Sequence, residues 1–286
     1  MAEDSTKDMV STDLLTFKRF SEFASIKHFV STRVSGFSPP PFDSLNLGLH
    51  VGDDADSVLK NRIRLASEVG IPPRNFTFAE QVHGTNIAVI RSEHRGSGAM
   101  DYETAIGSTD AMITNVPDIC LTVVVADCVP ILLFDPRQNV VAAVHAGWKG
   151  TAGDIASKTI RKMGEAFDSR PEDIVAGIGP SIGPCCYQVG SIEVEEFKET
   201  DEVVSGISDD GRAYLNLWEA NRRQLLESGV EANNIEVAGV CTCCNSDKFF
   251  SHRKHAPTGR FAAGIMLVNE ICASCTAIVC NWCSKE

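Results

Sequence analysis

Apolar positions follow two rhythms along this chain. Over residues 56–69 they recur at helical spacing (Val58, Leu59, Ile63, Leu65, Ala66, Val69), and Gly70 and Pro72 close the segment, which predicts a helix. Over residues 119–126, 130–134 and 140–145 they are nearly continuous, as in strands buried on both faces. Residues 17–34 predict one or two strands, and 174–178, 235–240 and 261–268 predict three more. Residues 76–82 and 86–90 read as a hairpin turning at His83-Gly84. Helices are expected over 151–167, 191–197 and 217–228, and polar loops over 35–54 and 91–108. Strands and helices alternate throughout, with neither a repeat nor a clear linker. The expectation is one α/β domain with a mixed-sheet core over residues 17–268, a disordered leader over 1–16 and a Cys-rich tail over 269–286.

The breaks in this pattern carry the chemistry. Gln81-Val82-His83-Gly84, Ala126-Asp127-Cys128 and His145-Ala146-Gly147-Trp148 each lie at or near the end of a strand-like run. Each offers one soft or borderline ligand: an imidazole, a thiol, an imidazole. Converging from strand ends, His83, Cys128 and His145 would form a three-ligand metal site with an open position, as expected of catalytic zinc. The same set suits a thiol nucleophile flanked by imidazole bases. The spacings match no local zinc-finger or HExxH rule. The turn after His145 leads into the predicted helix, so a helix N-terminus lies near it, a place suited to an anion. Asp127 is either a general acid/base or a turn aspartate.

Composition narrows the partners. The net charge of −12 argues against nonspecific nucleic-acid binding, and no apolar run approaches the roughly 20 residues of a membrane span. The acidic N-terminus (Glu3, Asp4, Asp8, Asp13) resembles neither a signal core nor a transit peptide, so a cytoplasmic location is expected. Eleven cysteines without a secretion signal argue against a disulfide framework. Cys120 is expected in the core. Cys241, Cys243 and Cys244 are expected to be core and turn residues rather than a second metal centre. Cys272, Cys275, Cys280 and Cys283 form two CxxC units in the tail, too closely spaced for an ordinary knuckle.

Over roughly residues 29–267 the chain resembles the YfiH/YlmD family, the laccase-domain proteins once called multicopper polyphenol oxidases. The resemblance rests on Ser31-Thr32-Arg33, Ser44-Leu45-Asn46-Leu47, Asn61-Arg62, Gln81-Val82-His83-Gly84, Thr109-Asp110-Ala111, Ala126-Asp127-Cys128, the six residues from His145 to Gly150, the Gly-Pro-Ser-Ile-Gly-Pro-Cys-Cys-Tyr run from Gly179, and Phe249-Phe250-Ser251-His252-Arg253. It implies a four-layer α/β/β/α sandwich akin to cysteine-hydrolase folds, with zinc held by His83, Cys128 and His145. It also implies phosphorolysis of adenosine, inosine and methylthioadenosine, with adenosine deamination in the same pocket. Purine nucleosides and phosphate are then the expected partners. Asn46 and Arg62 match positions lining that pocket, Arg62 being the phosphate candidate, and Arg33 and Arg253 are further candidates for phosphate or ribose.

Three other functions stay in view. Cys128 with His83 or His145 would make a cysteine hydrolase or amidase. A His2Cys set resembles blue-copper ligation, so copper is a possible occupant. Multicopper polyphenol oxidation needs more histidines than the seven present, of which His28, His50, His94, His252 and His255 are scattered. A binding protein that holds nucleoside without turnover is the fourth.

Overall fold

The structure, a computed structural model, describes residues 13–197, 202–209 and 211–268. The tail cysteines lie outside the described residues, as does most of the expected leader. Leu15 already bridges Val30, and Phe17 is buried, so the ordered fold starts slightly before the expected boundary.

Two open sheets dominate. One has the order β1 (Ile26–Val30), β13 (Phe261–Leu267), β5 (Cys120–Val125), β2 (Phe76–Phe78). The other has the order β12 (Ile235–Val237), β8 (Val175–Ile178), β6 (Val129–Asp135), β7 (Val140–Ala146), β4 (Ala111–Thr114), β3 (Ile87–Val89). Both are mixed: β2 runs parallel to β5 and β3 parallel to β4, whereas β6 and β7 are antiparallel. A small third sheet joins β10 (Val204–Ser205), β11 (Ala213–Leu215) and β9 (Gln188–Val189).

The period-2 alternation of a strand sorts its side chains between two faces, and here it builds the layers. Leu121, Val123 and Val125 of β5, with Phe261, Ala263 and Ile265 of β13, meet Leu132 and Phe134 of β6 and Val141 and Ala143 of β7 in one core between the sheets. The alternate residues Cys120, Val124, Ala262 and Met266 face away, toward Leu65 and Ala66 of α1 (Ala55–Val69). On the far side of the larger sheet, Ile131, Leu133, Ala142 and Val144 pack on α3 (Ile155–Phe167) and α4 (Leu217–Glu227). Helix, sheet, sheet and helix thus form four layers, as expected. The continuous apolar runs are needed because both faces of the central strands are covered.

Local signals set the element ends. The Asp54 carboxylate caps α1 by accepting the Ser57 N–H at 2.9 Å, and Gly70 ends it at φ +60°. Two expectations need correction. Residues 76–82 and 86–90 form no hairpin: β2 belongs to the smaller sheet and β3 to the larger, so the chain changes layer at His83-Gly84. The helix expected over 151–167 is two helices, α2 (Trp148–Ala152) and α3, separated at Gly153 and at Asp154, whose φ is +59°. The five-residue α2 is too short to build the helix dipole that the anion argument needs.

Candidate active site

His83, Cys128 and His145 converge. Their ligand atoms all lie within 4.8 Å of one another. The topology explains why. His83 sits in the crossing from β2 to β3 and Cys128 in the crossing from β5 to β6, so both occupy the passage between the two sheets. His145, paired with Pro130 on β6, is near the end of β7 with the parity of the inter-sheet face. His83 is exposed, Cys128 half-buried and His145 buried, which opens the site to solvent on the His83 side.

Each limb is fastened from its own sequence. The Gln81 side chain donates to Val124 O and accepts from Val124 N, both at 2.8 Å, extending the ladder of β5 and holding the turn before His83. His83 has φ +60°, an uncommon left-handed conformation for a non-glycine residue. That conformation is secured by Asp110, whose Oδ1 accepts the His83 N–H at 2.9 Å and whose Oδ2 accepts the Gly84 N–H at 2.7 Å. Asp110 Oδ1 also lies 2.8 Å from His145 Nδ1, and Asp110 O accepts the His145 N–H at 2.7 Å. One carboxylate therefore orients both histidines. It leaves Nε2 of His145 for Cys128 or a metal, the usual second partner of a ligating histidine. Gly147 completes the floor: a Cβ there would stand 3.0 Å from His83 Cδ2 and 3.1 Å from Cys128 Sγ.

Electrostatics follow from this packing. Burial alone would raise the Cys128 thiol, yet His145, with help from His83, brings it down to about 6. Burial alone would lower His145, yet Cys128 and Asp110 lift it to about 9. Burial likewise opposes ionisation of Asp110, but the hydrogen bonds from His145, Gly84 and His83 hold it below the ordinary carboxylate range. These shifts all run toward charge separation along Cys128, His145 and Asp110. As a donor set, two imidazoles and a thiolate within 4.8 Å fit zinc, with room for a fourth ligand.

The other expected residues divide. Arg62 is buried, with Nε and Nη2 donating to Leu47 O, Nη1 donating to Gly98 O and Ala99 O, and its guanidinium 3.9 Å over the Phe78 ring. With these carbonyls taking its donors, Arg62 is a loop-fastening residue, which corrects the expectation of a phosphate fork. Asn46 is fully buried: its amide donates to Asp53 Oδ2 and its Oδ1 accepts the N–H groups of Gly48 and Arg260. Asn46 therefore sets backbone rather than facing a ligand. Arg33 donates to Asp43 O and Ser246 O and lines a cleft of about 440 Å³ with Pro41, Asp43, Ser246, Asp247 and His255, none of them a member of the His–Cys–His group. Arg253 does reach the site's border, its N–H donating to Asp127 Oδ2 at 2.7 Å and its guanidinium stacking on Tyr187. Asp127 has φ +88°, and its other oxygen accepts from Thr242 Oγ1 at 2.6 Å, so its carboxylate holds the turn before Cys128.

Four positions around the group carry no site assignment from the sequence: Asp110 and Tyr187 fall only within segments that carry the resemblance, His50 only among the scattered histidines, and Arg260 in neither. Arg260, just before β13, lies within electrostatic reach of Cys128 and Asp127. His50 is lowered to about 4 by burial, then by Arg260, Arg62, His145 and His83. Tyr187 is raised by burial and then by the Cys128 charge. Only the arginine and tyrosine types hinted at roles, since no local pattern joins these distant positions.

Comparison with known proteins agrees with this architecture. Residues 27–268 match the family model described as multi-copper polyphenol oxidoreductase laccase. "Purine nucleoside phosphorylase YlmD" of Geobacillus stearothermophilus is 41% identical over 248 residues, covering 85% of this chain and 90% of the relative. "Purine nucleoside phosphorylase" of Bacteroides thetaiotaomicron is 35% identical over 259 residues, covering 89% of this chain and 96% of the relative. The crystal structure of Bacillus licheniformis YfiH superposes with a TM-score of 0.86 at 36% identity, covering 90% of this chain and 97% of that one. A match across nearly the whole described core, in sequence and in fold, shows that the chain belongs to the laccase-domain family of YlmD and YfiH.

Proposed function

We propose that this protein is a zinc-dependent purine nucleoside phosphorylase acting on adenosine, inosine and methylthioadenosine, with adenosine deamination in the same pocket. The observation that carries the proposal is the Asp110-oriented convergence of His83, Cys128 and His145, in a chain whose relatives carry the phosphorylase name. His83, Cys128 and His145 would hold the metal. When bound, zinc supplies Lewis acidity and eases deprotonation of water.

The chain's own residues do the rest. Phosphorolysis forms a bond from a phosphate oxygen to the anomeric carbon as the bond to the purine nitrogen breaks, so the site must hold an anion and admit a departing base. Arg260 supplies positive charge next to Cys128 and Asp127, and His50 stands beside it across Gly48, where an added Cβ would meet Arg260 Cγ at 2.9 Å and His50 Cε1 at 3.4 Å. We assign phosphate to this corner. Tyr187 is a donor for the base or ribose. Arg253 acts by holding Asp127 and stacking on Tyr187. Asp110 keeps His145 in the tautomer that presents Nε2.

The test is incubation of metal-analysed protein with adenosine, with and without phosphate. The expected products are adenine and ribose 1-phosphate with phosphate, and inosine and ammonia without it. Failure to release purine in a phosphate-dependent way overturns the phosphorylase assignment.

A second reading has a specific observation behind it. Cys128, His145 and Asp110 stand in the order of a nucleophile, its base and the orienting carboxylate. A cysteine hydrolase would retain full activity without metal and would show rapid alkylation of Cys128 with metal present. The zinc reading expects chelation to speed that alkylation and abolish nucleoside turnover. For a multicopper centre, the described residues gather only two ligand groups, and just one of them contains histidine.

A further inference from the structure

The second ligand group stands apart from the site just described. Two loops, distant in sequence, meet where Ser181 and Cys241 form a parallel bridge. Gly183 permits the close approach, since a Cβ there would lie 2.7 Å from the Trp218 ring and 3.2 Å from Cys241 Cβ. The first loop turns at Gly183-Pro184 and presents the vicinal pair Cys185-Cys186. The second carries Cys241-Thr242-Cys243-Cys244, a CxxC unit formed by Cys241 and Cys244. The Sγ atoms of Cys185, Cys186, Cys241 and Cys244 all lie within 4.8 Å of one another. Cys244 Sγ is 3.6 Å from that of Cys185 and 3.4 Å from that of Cys186.

We propose that Cys185, Cys186, Cys241 and Cys244 bind a second, structural cation of the zinc class in a tetrahedral four-thiolate site that clips these loops together. In a tetrahedral site with metal–sulfur bonds of about 2.3 Å, sulfurs stand about 3.8 Å apart, close to the separations seen. Four thiolates and no oxygen donor select a soft or borderline ion. The loop backbone also points at the group: Cys241 Sγ accepts the Gly183 N–H at 3.2 Å. Backbone donors of this kind offset the charge of a metal-bound sulfur. On this proposal Cys241 and Cys244, expected from the sequence to be core and turn residues, would also be ligands. Cys185 and Cys244 are exposed, which packing alone does not require of a cysteine.

The clip bears on the active site through protein contacts. Thr242, inside the CxxC, donates to Asp127 Oδ1, and Arg253, which donates to Asp127 Oδ2, also has Nη1 3.4 Å from Cys186 O. Locking the two loops thus steadies the turn that presents Cys128. The cation here is structural, with all four positions filled by protein, in contrast to the open three-ligand site.

Site-resolved alkylation of the reduced, full-length protein tests the proposal, with Zn2+ as the only added metal and modified peptides mapped by mass spectrometry. Mapping separates these sulfurs from the tail cysteines. Exposed free thiols at Cys185 and Cys244 should label readily. With zinc present, both should label at least tenfold more slowly, and a chelator should restore the fast rate. Rapid labelling with zinc present overturns the proposal. Protection that survives chelation and yields only to reductant also overturns it and makes the group a disulfide. Native mass spectrometry gives an independent readout: Cys244→Ser should lose one zinc equivalent while keeping the zinc that Cys128→Ala loses. Unchanged stoichiometry in Cys244→Ser, with Cys185 still protected, refutes the second site. Neither readout depends on nucleoside turnover, so its failure is distinguishable from failure of the phosphorylase reading.

Discussion

Replacing Asp110 with asparagine removes one charge and changes no shape, and the structure determines what should follow. Oδ1 serves His145 Nδ1 at 2.8 Å and the His83 N–H at 2.9 Å, and Oδ2 serves the Gly84 N–H at 2.7 Å. An amide cannot satisfy both sides. With its NH2 in the Oδ2 position, it confronts the Gly84 N–H and loosens the turn that holds His83. With its NH2 in the Oδ1 position, it confronts the His83 N–H and donates to His145 Nδ1, which moves the imidazole proton to Nε2 and disables the atom facing Cys128. Either orientation loses one charge-assisted hydrogen bond, about 1.5–3 kcal/mol. Because the carboxylate acts through the ligands, that loss should appear as roughly 10- to 100-fold weaker zinc binding. The assay is competition for Zn2+ against a chromophoric chelator, with thermal melts confirming that the variant is folded. Zinc affinity within twofold of wild type in folded Asp110→Asn would refute the assignment of Asp110 as the residue that orients both histidines.

Three further outcomes are expected. Burial lowers His28 from 6.5 to about 4 in the folded state, so folding favours the neutral ring. The associated stability is fully present above about pH 6.5, is lost as pH falls toward 4, and levels off below that, where both states are charged; its size is on the order of 1–3 kcal/mol for a partly exposed ring. Melting temperatures of wild type and His28→Gln should converge over that window, and parallel curves would contradict it. Arg62→Ala removes donors to three buried carbonyls and should cost about 3 kcal/mol, or roughly 6–12 °C in Tm. Any activity loss should fall equally on phosphorolysis and deamination, so a selective loss of phosphorolysis would restore Arg62 as the phosphate residue. Arg260→Ala should instead raise the KM for phosphate roughly tenfold to a hundredfold while sparing deamination, and equal damage to both reactions would argue against phosphate at that corner.

How much of this was legible depends on how local each signal is. The central strands announced themselves because both of their faces are covered, so residues 119–126, 130–134 and 140–145 read as apolar runs and became β5, β6 and β7 almost unchanged. The helix α1 carried its own cap and its own stop at Asp54 and Gly70. The false hairpin at His83-Gly84 shows the limit. Two short strands flanking a glycine turn look the same whether they pair with each other or with strands of different sheets, and only the partners β5 and β4 decide. His83, Cys128 and His145 were found because soft ligands stood out at strand ends, whereas Asp110, Arg260 and His50 belong to common residue types whose meaning comes from neighbours far along the chain.

The same reasoning explains why residue type alone does not give an arginine its role. A guanidinium offers five donors in a fixed fork, and sequence cannot say whether carbonyls or a ligand will fill them. Around Arg62 the chain bends so that Leu47, Gly98 and Ala99 direct carbonyls at it, and the positive charge acts on His50 only as a field. The layer change at Asp127-Cys128 works in the opposite sense. A chain leaving one sheet for another must turn without a ladder to pair with, so its polar groups need outside partners. Asp127 finds them in Thr242 and Arg253, and Asp127 O accepts the Ile182 N–H at 3.0 Å. Those partners come from the segments that bear the four clustered cysteines and the Tyr187 stack. The passage between the sheets is thus where unpaired backbone makes a site possible, and the loops around it are fastened to one another because nothing regular holds them.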